Sequence, residues 1–233
     1  MIRSVPETRS TNDDVAALAR DGAREGTWLR ADRQTGGRGR QGREWRSPPG
    51  NLYASTLVRV QPGDPPAHTL ALTAAVALHE IIGLYAPDAA LLIKWPNDIL
   101  AGGAKLSGIL LERSGDAVVI GFGVNLAHYP ETLERPTTSV AALAGVAPDP
   151  AAFLDALADA FARWLGRWRN EGLRVVRDRW LAASHPIGTA LTAAASGEKV
   201  EGLFDGLDET GALRLRIADG STRIINAGDV FLI

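Results

Sequence analysis

Two adjacent apolar runs constrain the fold of this chain more than any other feature of its sequence. Lys105 to Arg113 and Ala117 to Leu126 are rich in β-forming residues and are joined by Ser114-Gly115-Asp116. That spacing is typical of a β-hairpin. A mostly apolar helix is predicted at Thr69 to Tyr85, and apolar residues at helical spacing follow from Pro150. The sequence therefore predicts an α+β fold.

The sequence pattern changes near Ser184. Beyond it, short alternating strands are separated by glycine-containing turns, and Asp219-Gly220 lies between two of them. Asp-Gly between alternating runs is a strong hairpin signal. We therefore predict two domains, at residues 1–184 and 185–233, of which the second is a small β-barrel.

Charge and composition exclude several classes of protein. The 233 residues carry 25 Lys and Arg against 27 Asp and Glu, for a formal net charge of −2, and contain no cysteine. Without cysteine there is no disulfide scaffold, thiol nucleophile or thiolate-bound metal, and the balanced charge argues against a general nucleic-acid binder. The N-terminus has no apolar signal-peptide core, and the longest apolar stretch, Leu70 to Leu78, is shorter than the ~18 residues of a membrane span. We therefore expect a soluble cytoplasmic protein without a membrane partner.

A glycine- and arginine-rich segment is the first candidate for binding chemistry. Gly36 to Arg43 contains four glycines and three arginines, and Trp45 follows it; we call residues 36–45 the Gly-Arg loop. Glycine backbone approaches an anion closely, and forked guanidinium donors match phosphate oxygens. The segment is neither a P-loop nor a dinucleotide fingerprint, because the Gly-Lys-Ser/Thr ending and the helical continuation are absent. From these residues alone, an exposed arginine-rich loop and an RNA-binding patch remain open as alternatives.

Two further segments place a lysine beside residues with functional potential. Lys94-Trp95-Pro96-Asn97-Asp98 brings a cation and a carboxylate together after a predicted strand, which suits a magnesium-triphosphate site. The alternative is a turn whose side chains cap their own backbone. Lys105 begins a predicted strand in which Gly108 would allow close approach of a ligand; the alternative is an edge lysine beside a bulge.

Alternating glycines mark a fourth candidate. In Gly121-Phe122-Gly123-Val124-Asn125 the glycines share one face of a predicted strand. That face is bare and leaves room for a ring to lie against the sheet. Ordinary packing of the strand against a bulky neighbour is the alternative.

In this order, the four segments together with Ser10-Thr11-Asn12 and Gln34 resemble the biotin–protein ligase family. The end of the chain, through Ala227 to Val230, is similar to the small C-terminal domain of that family. The resemblance implies a class II synthetase-like biotin–lipoate ligase fold: a mixed, mainly antiparallel sheet flanked by helices, with a C-terminal SH3-like β-barrel. It also implies ATP-dependent attachment of biotin, through biotinyl-5′-AMP, to a lysine of the biotin carboxyl carrier protein of acetyl-CoA carboxylase. Mg²⁺ would accompany ATP, and pyrophosphate and AMP would be released.

The resemblance further implies a role for each matching residue. The implied biotin-binding residues are Ser10, Thr11, Asn12, Gln34, Gly37, Arg38, Gly39, Arg40, Lys105 and Gly108. The implied nucleotide-binding residues are Arg38, Arg40, Arg43, Trp45, Lys94, Asn97, Lys105 and Asn125. Arg40 and Lys105 are the implied catalytic residues, and Asp98 is the implied Mg²⁺ ligand.

Two alternatives and one departure accompany this resemblance. Many relatives carry an N-terminal DNA-binding winged helix, whereas Ser10-Thr11-Asn12 begins almost at residue 1 here. We therefore expect a ligase-only form that does not bind DNA, and leave its assembly open, with a homodimer as the candidate. The nearest alternative function is a lipoate or octanoate ligase. A second alternative is a non-catalytic RNA-binding protein that uses the Gly-Arg loop.

Overall fold

The main sheet is mixed and mainly antiparallel, as predicted. The computed structural model describes residues 1–131, 135–195 and 198–232. Its larger sheet contains β1 (Ile2–Thr8), β2 (Trp28–Gln34), β3 (Leu52–Arg59), β4 (Leu91–Lys94), β5 (Asp98–Ala101), β6 (Ala104–Ser114) and β7 (Ala117–Val124). The order across this sheet is β1-β2-β3-β7-β6-β5-β4. The β1–β2 pair is parallel, and the other described pairs are antiparallel.

Helices flank this sheet on both faces. They are α1 (Thr11–Arg20), α2 (Leu70–Tyr85), α3 (Val140–Ala144), α4 (Pro150–Glu171) and α5 (Leu173–Ala182). Val15 of α1 packs in a small cluster with Leu57 and Val119, while their strand neighbours Val58 and Ile120 enter the larger core that contains α2 and α4. Successive residues of a strand point to opposite faces, so a single strand contributes to both clusters.

The apolar segment at α2 is longer than the sequence analysis indicated. Ala67–Tyr85 spans 19 residues with a mean hydropathy of 1.4, so by length and composition alone it could cross a membrane. Of the most apolar 18 residues within this segment, 67% are buried inside the protein. The core helix of a folded domain meets the same criteria, and α2 packs against both the sheet and α4. Next to its start, Trp168 Nε1 of α4 donates to Thr69 Oγ1 at 2.8 Å.

The C-terminal strands form an open sheet rather than the closed barrel that was predicted. They are β8 (Ala190–Ala195), β9 (Glu198–Leu207), β10 (Leu213–Arg216), β11 (Thr222–Ile225) and β12 (Asp229–Leu232), in the order β11-β10-β9-β8-β12. The hairpin predicted at Asp219-Gly220 joins β10 to β11. Among the described residues β11 and β12 do not pair with each other, so both remain edge strands. The start of β12 instead faces the Gly-Arg loop, because Gly228 O accepts a hydrogen bond from Arg40.

The C-terminal sheet packs directly on the first part of the chain. Trp95 Nε1 donates to Gly211 O at 3.3 Å, and His68 Nε2 lies 3.0 Å from Thr210 O. Phe204 and other buried residues of this sheet belong to the same core cluster as α2. This packing places the start of β12 next to the Gly-Arg loop.

Candidate active site

A cavity of ≈ 480 Å³ lies where the first part of β6 and the end of β7 meet the start of α1, the Gly-Arg loop and the start of β12; we call it the central cavity. It brings together nearly all of the residues that the sequence analysis selected. Those that line it are Ser10, Thr11, Asn12, Gln34, Arg38, Gly39, Arg40, Arg43, Trp45, Lys94, Asn97, Asp98, Lys105, Gly108 and Asn125. Gly37 is not among the lining residues, but a side chain there would lie 2.6 Å from Trp45 O. Its lack of a side chain lets the loop fold closely on itself.

The first turn of α1 supplies a buried polar floor. Ser10 is the N-cap of α1, and its side chain accepts a hydrogen bond from Asp13 N, which is the usual geometry of a serine cap. This cap directs Thr11 and Asn12 toward the sheet, where both are 4% exposed. Thr11 N donates to Gln34 Oε1 at 2.9 Å. Hydrogen-bonding groups are thus fixed at one end of the cavity.

The Gly-Arg loop is closed by its own backbone. Gly39 N donates to Arg43 O at 2.7 Å, and Trp45 N donates to Gly37 O at 2.9 Å. Gln41 has a φ of 58°, the left-handed conformation that sharp turns use. The loop thereby directs Arg38 to α1 and β6, and directs Arg40 and Arg43 to the start of β12.

Arg38 is held by two carboxylates. Its guanidinium donates to Asp13 at 2.9 and 2.5 Å and to Glu112 Oε1 at 3.0 Å. The hydrogen bonds from Arg38 lower the pKa of Asp13 below its usual value, and those carboxylates raise the pKa of Arg38. In this arrangement Arg38 ties the loop to α1 and β6, and much of its charge is already neutralised.

Arg40 and Arg43 both reach the start of β12. Arg40 Nη1 donates to Gly228 O at 2.9 Å and lies 3.5 Å from Asp229 Oδ1. Arg43 Nη2 lies 3.0 Å from Asp229 Oδ2. The carboxylate of Asp229 therefore holds the Gly-Arg loop over the central cavity.

A lysine–aspartate–lysine cluster forms the opposite wall. Lys105 Nζ lies 2.6 Å from Asp98 Oδ1, and Lys94 Nζ lies 3.9 Å from Asp98 Oδ2. Lys94 is 9% exposed, and burial lowers its pKa while the Asp98 carboxylate opposes that shift. Two ammonium groups and one carboxylate leave this wall with a net positive charge, suited to an anionic ligand.

The surroundings of Asp98 fit a metal ion poorly. Its carboxylate is the counter-ion of Lys105, and a second ammonium group lies nearby at Lys94. Residues 1–131, 135–195 and 198–232 contain no group of three or more His, Asp or Glu that could hold a metal. Mg²⁺ prefers carboxylates together with substrate phosphates and water, so a lone carboxylate between two cations is a weak ligand.

The two asparagines are hydrogen-bonded to the backbone. Asn97 Nδ2 donates to Ile109 O at 2.7 Å, and Asn125 Nδ2 donates to Thr138 O at 3.0 Å. Both amides line the cavity and also fix the segments around it. Each amide still has its carbonyl oxygen and a second N–H to offer a ligand.

Glycines on β6 and β7 make room for side chains of the protein itself. A Cβ at Gly121 would overlap Asn12 Oδ1, and one at Gly123 would lie 2.6 Å from the indole of Trp45. The bare strand face that the sequence predicts is therefore covered by an asparagine amide and by a ring. The indole of Trp45 also lies 5.6 Å, centroid to Nζ, from Lys105, within range of a cation–π contact.

Substituting Gly123 by alanine is expected to displace Trp45 and loosen the Gly-Arg loop. A methyl group cannot share the space of the indole, so the ring has to leave the sheet. Trypsin should then cleave the loop at its arginines about tenfold faster, because local opening exposes the chain. Gly166→Ala in α4 is the matched control, since nothing lies within 4 Å of its added methyl group; equal cleavage of both variants would contradict this placement of Trp45.

Sequence reasoning did not select several residues that complete the site. Glu112 and Ser55 bind the polar floor, Asp229 binds the loop, and Arg135 lines the cavity while its guanidinium lies 4.1 Å over the ring of Phe231. Each of these residues is distant in sequence from the residue that it contacts, and the two meet only in the folded chain. The one local signal was the position of Asp229 inside the similar C-terminal segment.

Comparison with known proteins defines the family. Residues 5–125 match the biotin/lipoate A/B protein ligase family, and residues 187–233 match the biotin protein ligase C-terminal domain. The chain belongs to the biotin/lipoate A/B protein ligase family.

Two relatives and one solved structure show how far the similarity extends. A biotin--[acetyl-CoA-carboxylase] ligase of Paracoccus denitrificans is 42% identical over 96% of this chain and 97% of its own length. One of Mycobacterium tuberculosis is 36% identical over 97% of this chain and 86% of its own length. The biotin protein ligase of Aquifex aeolicus, solved in complex with biotin and ATP, superposes with a TM-score of 0.89 at 25% identity, over 100% of this chain and 99% of its own. The family resemblance and fold class inferred from the sequence are therefore confirmed, apart from closure of the barrel.

Proposed function

We propose that this protein is an ATP-dependent biotin–protein ligase that attaches biotin to a lysine of a biotin carboxyl carrier protein, in particular that of acetyl-CoA carboxylase. One observation carries the proposal: the central cavity sets a buried polar floor next to Arg40 and Lys105. Biotin is an apolar bicycle with a polar ureido edge and an anionic tail, so it needs such a combination. The similarity of the chain to curated biotin ligases over nearly its whole length supports the same conclusion.

In the first step, the biotin carboxylate attacks the α-phosphorus of ATP. A bond forms between the carboxylate oxygen and phosphorus, and the bond to the pyrophosphate oxygen breaks. Because both reactants are anions, the reaction requires cations that cancel their repulsion. Lys105 and Arg40 line the same cavity and supply that charge, and Arg43 and Lys94 extend it toward the triphosphate. The ATP phosphates themselves would carry Mg²⁺, which would neutralise part of their charge.

In the second step, the neutral amine of the carrier lysine attacks the acyl carbon of biotinyl-5′-AMP. The carbon–nitrogen bond forms, the bond from the acyl carbon to the phosphate oxygen breaks with its electron pair on AMP, and the nitrogen gives up one proton to water as AMP leaves. Lys105 stabilises the negative charge that develops on the departing phosphate. Lys94, Asn97 and Asp98 form the wall at which the triphosphate and then the incoming lysine are oriented.

Two observations favour this function over the alternatives. The C-terminal match at residues 187–233 is to a biotin protein ligase domain, which favours biotin over lipoate or octanoate. An RNA-binding patch needs outward-facing cations, whereas Arg38, Arg40 and Arg43 are paired with carboxylates at the cavity. We also propose that the chain divides into a catalytic domain at residues 1–184 and a C-terminal domain at residues 185–233. DNA is not among its proposed binding partners.

Biotin-dependent exchange of labelled pyrophosphate into ATP tests the first step. Biotin should stimulate the exchange, and lipoate should not. For the second step, a purified carrier domain incubated with the protein, ATP, Mg²⁺ and biotin should gain the mass of one biotinyl group. Exchange stimulated by lipoate alone, or RNA binding without any exchange, would contradict the proposal.

A further inference from the structure

We propose that Glu112 is a positioning residue that sets the donor and acceptor pattern of the biotin pocket, an inference that rests on the proposed function. Glu112 is not among the residues that line the described part of the central cavity. It lies behind two residues that do. Its Oε2 accepts a hydrogen bond from Asn12 Nδ2 at 2.7 Å, and its Oε1 accepts one from Arg38 Nη2 at 3.0 Å.

The carboxylate of Glu112 determines which way the Asn12 amide faces. Asn12 Nδ2 points at Glu112 Oε2 and at Leu110 O, which is 3.5 Å away. Both of these atoms are acceptors, so an oxygen in the place of Nδ2 would meet two acceptors without a proton between them. Asn12 Oδ1 therefore faces Ser55 Oγ at 2.6 Å.

The orientation of Asn12 in turn controls the hydroxyl groups next to the ligand. Ser55 has one proton and two oxygen neighbours, Asn12 Oδ1 at 2.6 Å and Thr11 Oγ1 at 2.7 Å. With Oδ1 facing it, Ser55 can give its proton to Asn12, and both lone pairs of Thr11 Oγ1 remain available to a ligand. With Nδ2 facing it, Ser55 would accept from Asn12 and donate to Thr11, which occupies one of those lone pairs and directs the Thr11 proton to Gln34 Oε1, 3.2 Å away. Glu112 thus determines, from outside the cavity, how many acceptor sites Thr11 offers to a ligand.

An amide cannot replace this carboxylate while Asn12 stays as it is. Glu112 Oε1 accepts from Arg38 Nη2 at 3.0 Å, and Oε2 accepts from Asn12 Nδ2 at 2.7 Å and from the same Arg38 Nη2 at 3.3 Å. An NH₂ group in the place of either oxygen therefore meets a donor. In Glu112→Gln, the cationic guanidinium favours the amide oxygen at its shorter contact, so the new NH₂ group faces Asn12 Nδ2. Asn12 then turns over to relieve this clash, and Ser55 no longer donates to it.

The test compares biotin affinity with ATP affinity. Wild-type protein is first shown to form biotinyl-5′-AMP, since failure there rejects the proposed function and not the role of Glu112. Glu112→Gln should then raise the Kd for biotin about tenfold, the effect of about one charge-assisted hydrogen bond. The KM for ATP and kcat at saturating biotin should stay within about twofold of wild type, because neither depends on the ureido contacts.

The matched control is Asp116→Asn. Asp116 lies in the turn of the same hairpin as Glu112 and pairs with Arg59 of β3, and neither residue lines the cavity. The biotin Kd of this variant should match wild type. Glu112→Asp keeps an acceptor on both carboxylate oxygens, so its biotin Kd should lie between those of wild type and Glu112→Gln. This variant carries the test if Glu112→Gln does not fold. An unchanged biotin Kd in Glu112→Gln, an equal loss of biotin and ATP affinity, or a Glu112→Asp variant that binds biotin as weakly as Glu112→Gln would overturn the proposal.

Discussion

Replacing Lys105 by alanine is expected to slow biotinyl-5′-AMP formation by about 100- to 1,000-fold, the usual effect of removing one preorganised electrostatic group. Lys105 stands at the start of β6, and Asp98 Oδ1 holds its ammonium group at 2.6 Å. The side chain lines the same cavity as Arg40. Its charge therefore lies where two anions have to approach each other. The loss should be seen in the rate of biotin-dependent pyrophosphate exchange.

A companion variant separates catalysis from stability in that experiment. Without Lys105, the carboxylate of Asp98, which is 8% exposed, keeps only the weaker contact with Lys94 at 3.9 Å. We expect Lys105→Ala to lose about 1–3 kcal/mol of unfolding free energy for this reason. Adding Asp98→Asn removes the uncompensated charge and should restore stability, but it should leave pyrophosphate exchange low. Recovery of exchange in the double variant would mean that Lys105 acts only through the fold.

Local patterns in the sequence predicted the elements of the fold better than their arrangement. The β6–β7 hairpin forms as expected, because its turn and its alternating residues are adjacent in the chain. The pairing of β3 with β7, which sets Leu52 opposite Val124, is not written in any local pattern, since it depends on how both faces of the sheet are buried. The barrel was predicted from short alternating strands alone. Those strands do form, but β11 and β12 remain apart among the described residues.

In the candidate site, the sequence likewise revealed the motif residues but not the residues that they contact. Glycine, arginine and lysine in short motifs could be selected because the backbone freedom and charge of each act locally. Their counter-ions could not be selected. Glu112 lies 74 residues from Arg38, and Asp229 lies 186 residues from Arg43. An acidic residue on a strand is usually a solvated side chain, and only the folded chain shows which ones meet an arginine.

Substituting Arg40 by glycine is expected to let biotinyl-5′-AMP escape about 100 times faster than from wild type, the scale on which loss of a buried charge pair raises dissociation rates. Arg40 contributes twice to retention. It offers a cation inside the central cavity, and it joins the Gly-Arg loop to β12 through Gly228 O and Asp229. Glycine removes both contacts and also makes the loop backbone more flexible.

Release of radiolabelled adenylate, preformed on the enzyme and followed by filtration, measures that rate. Arg33→Ala is the control, because Arg33 of β2 pairs with the exposed Glu7 of β1 and does not line the cavity; its release rate should equal that of wild type. Asp229→Asn separates the two contributions of Arg40, since it weakens the attachment of the loop but keeps the cation. Because the attachment of the loop to β12 contributes to retention, Asp229→Asn should release adenylate at a rate between those of wild type and Arg40→Gly. A release rate for Arg40→Gly equal to that of wild type would show that neither the cation nor the loop retains the intermediate, because this substitution removes both.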